Sequence, residues 1–144
     1  MKFTIDSNVF VDAVRSPQRL DDLLQFLQWS RELVEISSVV VAELEAGART
    51  RLTREWLDDH LLASFERRGR IVAPTRQEWR KAGRLMSETP TGSPYAARQN
   101  DLLLATQARE RGWMVITRDR DFTELRSSVP GLQVMAPFPP LPRT

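Results

Sequence analysis

The sequence predicts an α/β fold in which helices flank a mostly parallel central sheet. Short apolar runs of strand length alternate with stretches whose apolar residues recur at helical spacing, a pattern typical of β-α-β units. The chain has 144 residues, of which 41% are hydrophobic, so a single domain can bury its own core without disulfides or a structural metal. We place this domain at residues 1–136 and assign the proline-rich residues 137–144 to a C-terminal tail.

The first elements are a strand, a helix and a second strand. Phe3–Ile5 is typical of a short buried strand. Apolar residues recur at helical spacing over Leu20–Trp29 and predict a helix there. Val34–Ile36 predicts the second strand. Either of the two serines that follow, at positions 37 and 38, is a suitable N-cap for a helix that runs to about Gly47.

The middle of the chain continues this alternation. Thr53 or Asp59 is a suitable start for a further helix, whose apolar stripe extends to Phe65. Arg70–Ala73 predicts a third strand. The next helix is predicted over residues 75–87, because Thr75 and Glu78 have the spacing of a capping box.

The last elements are a loop, a helix and two strands. The glycine- and proline-rich residues 89–99 predict a loop. Asn100 is the predicted N-cap of a helix that ends at Arg111, where Gly112 terminates it. Two apolar runs, 113–117 and 132–135, predict the fourth and fifth strands.

Arginine dominates the basic residues. Of the 21 lysines and arginines, only Lys2 and Lys81 are lysines, and the formal net charge is +2. The planar guanidinium group donates hydrogen bonds in pairs to phosphate, which suits nucleic-acid binding. A GC-rich genome would favour arginine codons equally well, so composition alone leaves both explanations open.

Several classes of protein are disfavoured. The chain has no cysteine, which excludes a disulfide framework, a zinc–thiolate site and a thiol nucleophile. Its apolar runs are far shorter than the roughly 20 residues of a membrane-spanning helix. A carboxylate at position 6 comes too early for a secretory signal. We therefore expect a soluble, cytoplasmic protein.

Two acidic residues come at the ends of predicted strands. Asp6 follows the first strand directly, and Asp119 lies just beyond the fourth. Ligands of parallel α/β sheets bind beyond the carboxyl ends of the strands, so these two side chains would emerge together if the two strands are neighbours. Simpler explanations remain open: Asp6 as a helix N-cap, Asp119 as the ion-pair partner of an adjacent arginine, and Asp121 as the cap of a following helix.

Two more acidic residues lie on predicted helices. The residues three and four positions from Glu43 are small or apolar, so Glu43 has no local ion partner, whereas Glu45 has Arg49 four residues further on. Asp101 lies in the first turn of its helix, where the helix dipole favours an acid. A solvated position for Glu43 and a capping role for Asp101 are the alternatives to a functional site.

Taken together, these acids predict a metal site. Converging carboxylates repel one another, and their pKa values rise unless a cation lies between them. Oxygen donors without histidine or cysteine favour Mg²⁺ or Mn²⁺ over zinc. Such a site would hold one or two ions that activate water and position a phosphodiester for attack.

Four short motifs, in this order along the chain, resemble those of PIN-domain ribonucleases: Ile5-Asp6-Ser7-Asn8, Ala42-Glu43-Leu44 with Gly47, Asn100 to Ala105, and Thr117 to Phe122. The resemblance extends over nearly the whole chain, and the length and spacing are similar to those of VapC-type toxins of toxin–antitoxin pairs. It implies a single PIN-like domain, Mg²⁺- or Mn²⁺-dependent endoribonuclease activity on RNA, a homodimer, and a neutralising antitoxin partner.

The resemblance also implies roles for individual residues. By their positions in the motifs, the catalytic, metal-binding acids would be Asp6, Glu43, Asp101 and Asp119. Asp121 is a second candidate for the fourth acid. The residues expected to support these acids are Ser7, Asn8, Asn100 and Thr117.

Two other functions compete with this interpretation. A non-catalytic PIN-fold module would bind RNA or a protein partner without cutting. A Mg²⁺-dependent phosphohydrolase with an aspartyl nucleophile would need a second acid two residues after Asp6, where Asn8 stands. Asp58, Asp59 and His60 are adjacent on a predicted helix and point in different directions, so they do not form a compact ligand set. We expect all four tryptophans to pack in the core.

Overall fold

The computed structural model describes residues 1–88 and 99–139. Its strands are β1 (Lys2–Ile5), β2 (Ile36–Ser37), β3 (Ile71–Val72), β4 (Trp113–Ile116) and β5 (Gln133–Met135). Its helices are α1 (Ser7–Arg15), α2 (Pro17–Ser30), α3 (Ser38–Gly47), α4 (Arg51–Leu57), α5 (Ala63–Arg67), α6 (Arg76–Ser87), α7 (Gln99–Arg111) and α8 (Arg120–Glu124). A 3-10 turn, Arg31–Leu33, follows α2, and a π-helical segment, Asp58–Leu62, joins α4 to α5. Within the described residues, no helix has both the length and the apolar character needed to cross a membrane.

The strands are all parallel. β1, β4 and β5 form one sheet in the order β1-β4-β5, and β2 pairs with β3. A bridge between Phe3 and Val34, and a hydrogen bond of 3.0 Å from Glu35 N to Phe3 O, bring the second pair alongside β1. The resulting order is β3-β2-β1-β4-β5. This arrangement confirms the predicted α/β fold.

Both faces of the central strands are covered. Phe3, Thr4 and Ile5 are consecutive in β1, and all three are buried. Successive strand residues point to opposite faces of a sheet, so packed elements lie on each side of β1. Val115 and Ile116 of β4 are also fully buried. Such two-sided burial is characteristic of parallel sheets flanked by helices.

Local signals placed several helix ends correctly. Ser37 caps α3, with its hydroxyl accepting from Val39 N at 3.1 Å. Thr75 and Glu78 form the predicted capping box at the start of α6. Gly112 follows α7 with a φ of +69°, a left-handed conformation that glycine adopts without strain.

Other helix starts were predicted wrongly. α2 begins at Pro17 rather than Leu20, because proline suits the first helical position and Ser16 caps it. α4 begins at Arg51, since Thr50 provides the cap rather than Thr53 or Asp59. Asn100 is not an N-cap: it is exposed and lies inside α7, which includes Gln99 from the predicted loop. The rest of that loop, residues 89–98, is outside the described residues.

The tryptophans divide into two groups. Trp113 is buried, and Trp29 and Trp56 are partly buried against the core. Trp79 on α6 is 51% exposed, so its predicted place in the core was wrong. Its helix presents mainly polar and charged residues, and only part of the indole contacts its neighbours.

Candidate active site

The candidate site lies where β1 and β4 end. These strands are paired in register, with Ile5 opposite Ile116, and Asp6 and Thr117 are the residues that follow. β2 and β3 lie on one side of β1 and β5 lies beyond β4, so the strand order reverses between β1 and β4. Open parallel sheets bind ligands in the crevice at such a reversal. The first and fourth strands are therefore neighbours, as a shared site for Asp6 and Asp119 requires.

Asp6 is fixed at the head of α1. It is the N-cap of this helix, and its Oδ1 accepts from Ser7 N at 2.8 Å. Its Oδ2 accepts from Asn8 Nδ2 at 3.1 Å and from Thr117 Oγ1 at 2.9 Å. The side chain is buried. Asp6 can therefore be both a helix cap and a residue of the site. Its role as the N-cap of α1 keeps its carboxylate at the carboxyl ends of the strands.

Thr117 and Asn8 connect the ends of the two strands. The hydroxyl of Thr117 also accepts from Asn8 Nδ2 and from Asp119 N, each at 3.0 Å. Asn8 Oδ1 accepts from Arg118 N at 3.1 Å. These bonds hold the turn after β4 against the start of α1. Asn8 and Thr117 therefore set the positions of Asp6 and of the Asp119 backbone.

Replacing Thr117 by Val should lower the free energy of unfolding by about 1–3 kcal/mol, because it removes the hydroxyl that bonds to Asp6, Asn8 and the Asp119 backbone and leaves Asp119 N without its partner. Asp6 and Asn8 keep the hydrogen bond between them. Thr4→Val is the matched control. The Thr4 hydroxyl is fully buried and reaches no hydrogen-bond partner among the described residues, so its removal should be neutral or stabilising. Urea unfolding of both variants measures the difference, and equal destabilisation would contradict the assigned network.

Asp119, rather than Asp121, caps α8. The Asp119 Oδ1 atom accepts from Asp121 N at 2.9 Å, which corrects the expectation that Asp121 caps this helix. Burial is the largest cause of the raised pKa of the Asp6 carboxyl, and repulsion from Asp119 raises that pKa further. Asp119 is therefore electrostatically coupled to Asp6, as a shared site requires.

Glu43 faces the site from α3. Its carboxyl pKa is raised to about 7, first by burial and then by the charges of Asp6 and Asp101. A hydrogen bond with the Ser7 side chain acts in the opposite direction. Glu45, two residues further on, turns away and pairs with Arg54 at 3.8 Å. The predicted partner of Glu45 was Arg49, which is the wrong arginine.

Asp101 approaches the site from the start of α7. It is partly buried in the first turn of that helix, and its charge is one of the two that raise the pKa of Glu43. The structure therefore brings the four predicted acids into one electrostatic group: Asp119 acts on Asp6, and Asp6 and Asp101 act on Glu43. Asn100 is exposed beside Asp101, and its supporting role stays a prediction.

The chemistry of these donors fits a hard divalent cation. Burial is the largest influence on the Asp6 carboxyl and raises its pKa above the ordinary value, and a nearby cation would oppose this effect. A carboxylate offers about four lone-pair positions, and among the described residues Ser7 N is the donor to Asp6 Oδ1. The described residues contain no group of three or more acidic, histidine or cysteine side chains already arranged to hold an ion. The acids therefore match a hard divalent cation in their charge and in their oxygen donors.

Two contacts at the site were not predicted. The Ser7 side chain forms a hydrogen bond with Glu43, and the Ser7 backbone N–H donates to Asp6 Oδ1. Asp12 of α1 forms an ion pair with Arg118, on the turn that carries Asp119, with 2.8 Å between Asp12 Oδ2 and Arg118 Nε. No local pattern indicates the Asp12–Arg118 pair, because its members are far apart in sequence and only the register of β1 and β4 brings them together.

Comparisons with known proteins agree with this architecture. A family model described as PIN domain matches residues 3–127. Similar solved structures include VapBC2 from Rickettsia felis bound to a DNA fragment from its promoter, with a TM-score of 0.67 and 21% identity over 94% of this chain and 98% of the other. DNA-bound VapBC from Salmonella typhimurium has a TM-score of 0.68 and 21% identity over the same shares.

A further similar structure is FitAcB from Neisseria gonorrhoeae, with a TM-score of 0.65 and 21% identity over 92% of this chain and 95% of the other. The search of curated protein sequences gave no match. At this level of identity, the solved structures establish the likeness of the fold.

Proposed function

The chain belongs to the PIN domain family, and from this premise we propose that it is a Mg²⁺- or Mn²⁺-dependent endoribonuclease and the toxin of a toxin–antitoxin pair. One observation carries the proposal. Four acids, which follow β1, lie on α3 and α7, and follow β4, influence one another electrostatically at the strand-order reversal. Buried acids that raise one another's pKa values are costly for stability, and such arrangements are concentrated at functional sites.

The four acids would share the tasks of binding and proton transfer. Asp6 and Asp119 are the N-caps of α1 and α8, and the capping hydrogen bonds fix their side chains. They would therefore be the fixed ligands of the cation. Asp101 and Glu43 would complete the site from α7 and α3. When bound, Mg²⁺ or Mn²⁺ would supply Lewis-acid activation of water and charge stabilisation at the phosphodiester. Ser7, Asn8 and Thr117 orient the acids, and support of this kind is typically worth about 10–100-fold in activity or metal affinity.

An antitoxin partner is supported by the similar structures, which are of VapBC and FitAcB. We place this partner at an apolar pocket of about 300 Å³ next to Glu43, lined by Val11, Leu44 and Leu57 among others. Val14 at the same pocket is 42% exposed. A protein segment that covers these apolar side chains would also restrict access to Glu43. The homodimer and the cytoplasmic location remain predictions, and sedimentation equilibrium tests the first of them.

Metal dependence provides the test of this function. Incubation of the purified chain with RNA and Mg²⁺ or Mn²⁺ should give discrete cleavage products on a denaturing gel. EDTA should stop the cleavage and an excess of Mg²⁺ should restore it, because the acids would hold the cation that supplies Lewis-acid activation of water.

Undiminished cleavage in EDTA would contradict the metal-dependent mechanism. RNA binding without cleavage under any metal condition would instead favour the non-catalytic PIN-fold module. Both results are distinguishable from a misfolded sample by the melting transition of the same preparation.

A further inference from the structure

A basic cleft borders the acidic site on the side of β5. Its volume is about 510 Å³, and its lining includes four arginines: Arg19, Arg118, Arg120 and Arg126. Thr117 and Asp119 line it as well. The cleft therefore includes one of the four acids, Asp119, and its size is in the range typical of ligand sites, about 300–1,000 Å³.

The positive charge of this cleft exceeds its internal compensation. Arg118 and Arg19 share one carboxylate oxygen, Asp12 Oδ2, at 2.8 Å and 3.2 Å. Arg126 donates to a backbone carbonyl, Val134 O, at 3.0 Å, which orients its guanidinium group without neutralising it. The side chain of Arg120 is exposed and has no ion-pair partner among the described residues. Asp12 thus forms an ion pair with each of two arginines, with a hydrogen bond to Arg19 only, and one carboxylate leaves a net positive surface.

The two sides of the acidic site differ in character. The pocket beside Glu43 is mainly apolar, whereas the cleft beside Asp119 is lined by arginines. A polyanion cut at the acids would be attracted more strongly to the second side, because the first side has one arginine, Arg15, and also carries the Glu43 carboxylate. Arginine donates in pairs to phosphate oxygens, and four guanidinium groups around one cleft offer several such pairs.

We infer that this cleft binds the phosphodiester backbone of single-stranded RNA next to the scissile bond, with Arg120 and Arg126 as phosphate-binding residues and Asp12 as the residue that positions Arg118 and Arg19. The inference rests on the proposed function and adds the path of the substrate. It assigns the RNA to the β5 side of the acidic site. The apolar pocket beside Glu43 is then left for a protein partner.

Salt-dependent RNA binding tests the inference. The full chain carrying Glu43→Gln, which should bind RNA without cutting it, is compared with the same protein carrying Arg120→Gln or Arg126→Gln. The probe is a short fluorescent single-stranded RNA measured by anisotropy over a range of KCl concentrations. Removing one phosphate-binding arginine should reduce the slope of log K against log salt by about 0.7. Arg120→Lys, which keeps the charge, should preserve the slope.

Arg67→Gln is the matched control. Arg67 is exposed at the end of α5, which leads into the amino end of β3, so it lies at the edge of the sheet opposite the acids. This variant loses the same charge and should bind RNA with an unchanged slope. Arg120 is exposed, so its substitution should leave the fold intact even if Arg126→Gln disturbs the hydrogen bond to Val134.

If wild type cleaves RNA, and Arg120→Gln, Arg126→Gln and Arg67→Gln all bind RNA with the same salt dependence, the inference is wrong and the proposed function stands. If polyglutamate binding is lost in Arg120→Gln and Arg126→Gln while RNA binding is unchanged, the cleft is a protein-docking surface and the inference is again wrong. If wild type neither binds nor cleaves RNA, the proposed function fails and the inference fails with it.

Discussion

Replacing Glu43 by Gln should reduce metal-dependent RNA cleavage by about a thousand-fold, within the range that a positioned acid or base contributes. The substitution keeps the size of the side chain and removes its charge. It also removes the group on which both Asp6 and Asp101 act. The cleavage rate under single-turnover conditions with saturating Mg²⁺ measures the effect.

Glu45→Gln is the control on the same helix. The ion pair of Glu45 with Arg54 is long, at 3.8 Å, and both side chains are substantially exposed, so its removal should cost at most about 1 kcal/mol of stability and leave the cleavage rate unchanged. Equal rates for the two variants would show that Glu43 does not participate. A loss of activity in both, with lowered melting temperatures, would indicate damage to α3 instead.

The order of the acids along the chain carried most of the site prediction. Asp6 and Asp119 follow strands, and strand ends in a parallel sheet meet at one edge, so their proximity depended only on β1 and β4 being neighbours. Glu43 could be separated from Glu45 because the residues one helical turn away are apolar on one face and charged on the other. Both signals come from residues that are close together in the sequence, so they can be recognised without the structure.

The features that were missed are those that depend on distant residues. The pair of Asp12 with Arg118 and the bond of Thr117 to Asp6 each join positions more than 100 residues apart. The basic cleft likewise collects arginines from α2, from the turn after β4, from the start of α8 and from the segment after α8. An arginine-rich composition left nucleic-acid binding open as one of two explanations, and only the fold gathers these side chains on one side of the acids.

Competing caps account for the errors in helix boundaries. Thr50 and Thr53 are both suitable N-caps by residue type, and the structure uses Thr50, whose hydroxyl accepts from Thr53 N at 3.1 Å. Asp119 and Asp121 present the same choice at α8. In each case the earlier residue serves as the cap, which lengthens the helix by a few residues and satisfies one more backbone amide.

Metal-free protein should lose stability as the pH rises from about 4.5 to about 7. The folded-state pKa of Glu43 is about 7 against an ordinary value of 4.5, so in this window the folded state binds a proton more readily than the unfolded state does. The contribution of this group is fully present below the unfolded pKa and is lost as the pH rises through the folded pKa. The raised pKa of the buried Asp6 carboxyl acts in the same direction.

Glu43→Gln should flatten this dependence. In EDTA above neutral pH the variant should melt at a higher temperature than wild type, because it no longer buries a carboxylate next to Asp6 and Asp101. Saturating Mg²⁺ should reduce or reverse the difference, since binding to the folded state stabilises wild type by mass action and the variant has lost a ligand. Glu43 is only partly buried, and screening by solvent keeps the shift modest, a few degrees at most. If the melting temperatures of the two proteins depend on pH in the same way between about 4.5 and about 7, the shared acidic site is contradicted.

Asp101→Asn distinguishes electrostatic coupling from simple burial at Glu43. Burial is the largest cause of the raised pKa and remains in this variant, whereas the repulsion from Asp101 is removed. The pKa of Glu43, followed by NMR titration of its side-chain carboxyl carbon in metal-free protein, should therefore fall towards the ordinary value without reaching it. An unchanged Glu43 titration would mean that Asp101 acts only within the first turn of α7, and the site would then contain three acids rather than four.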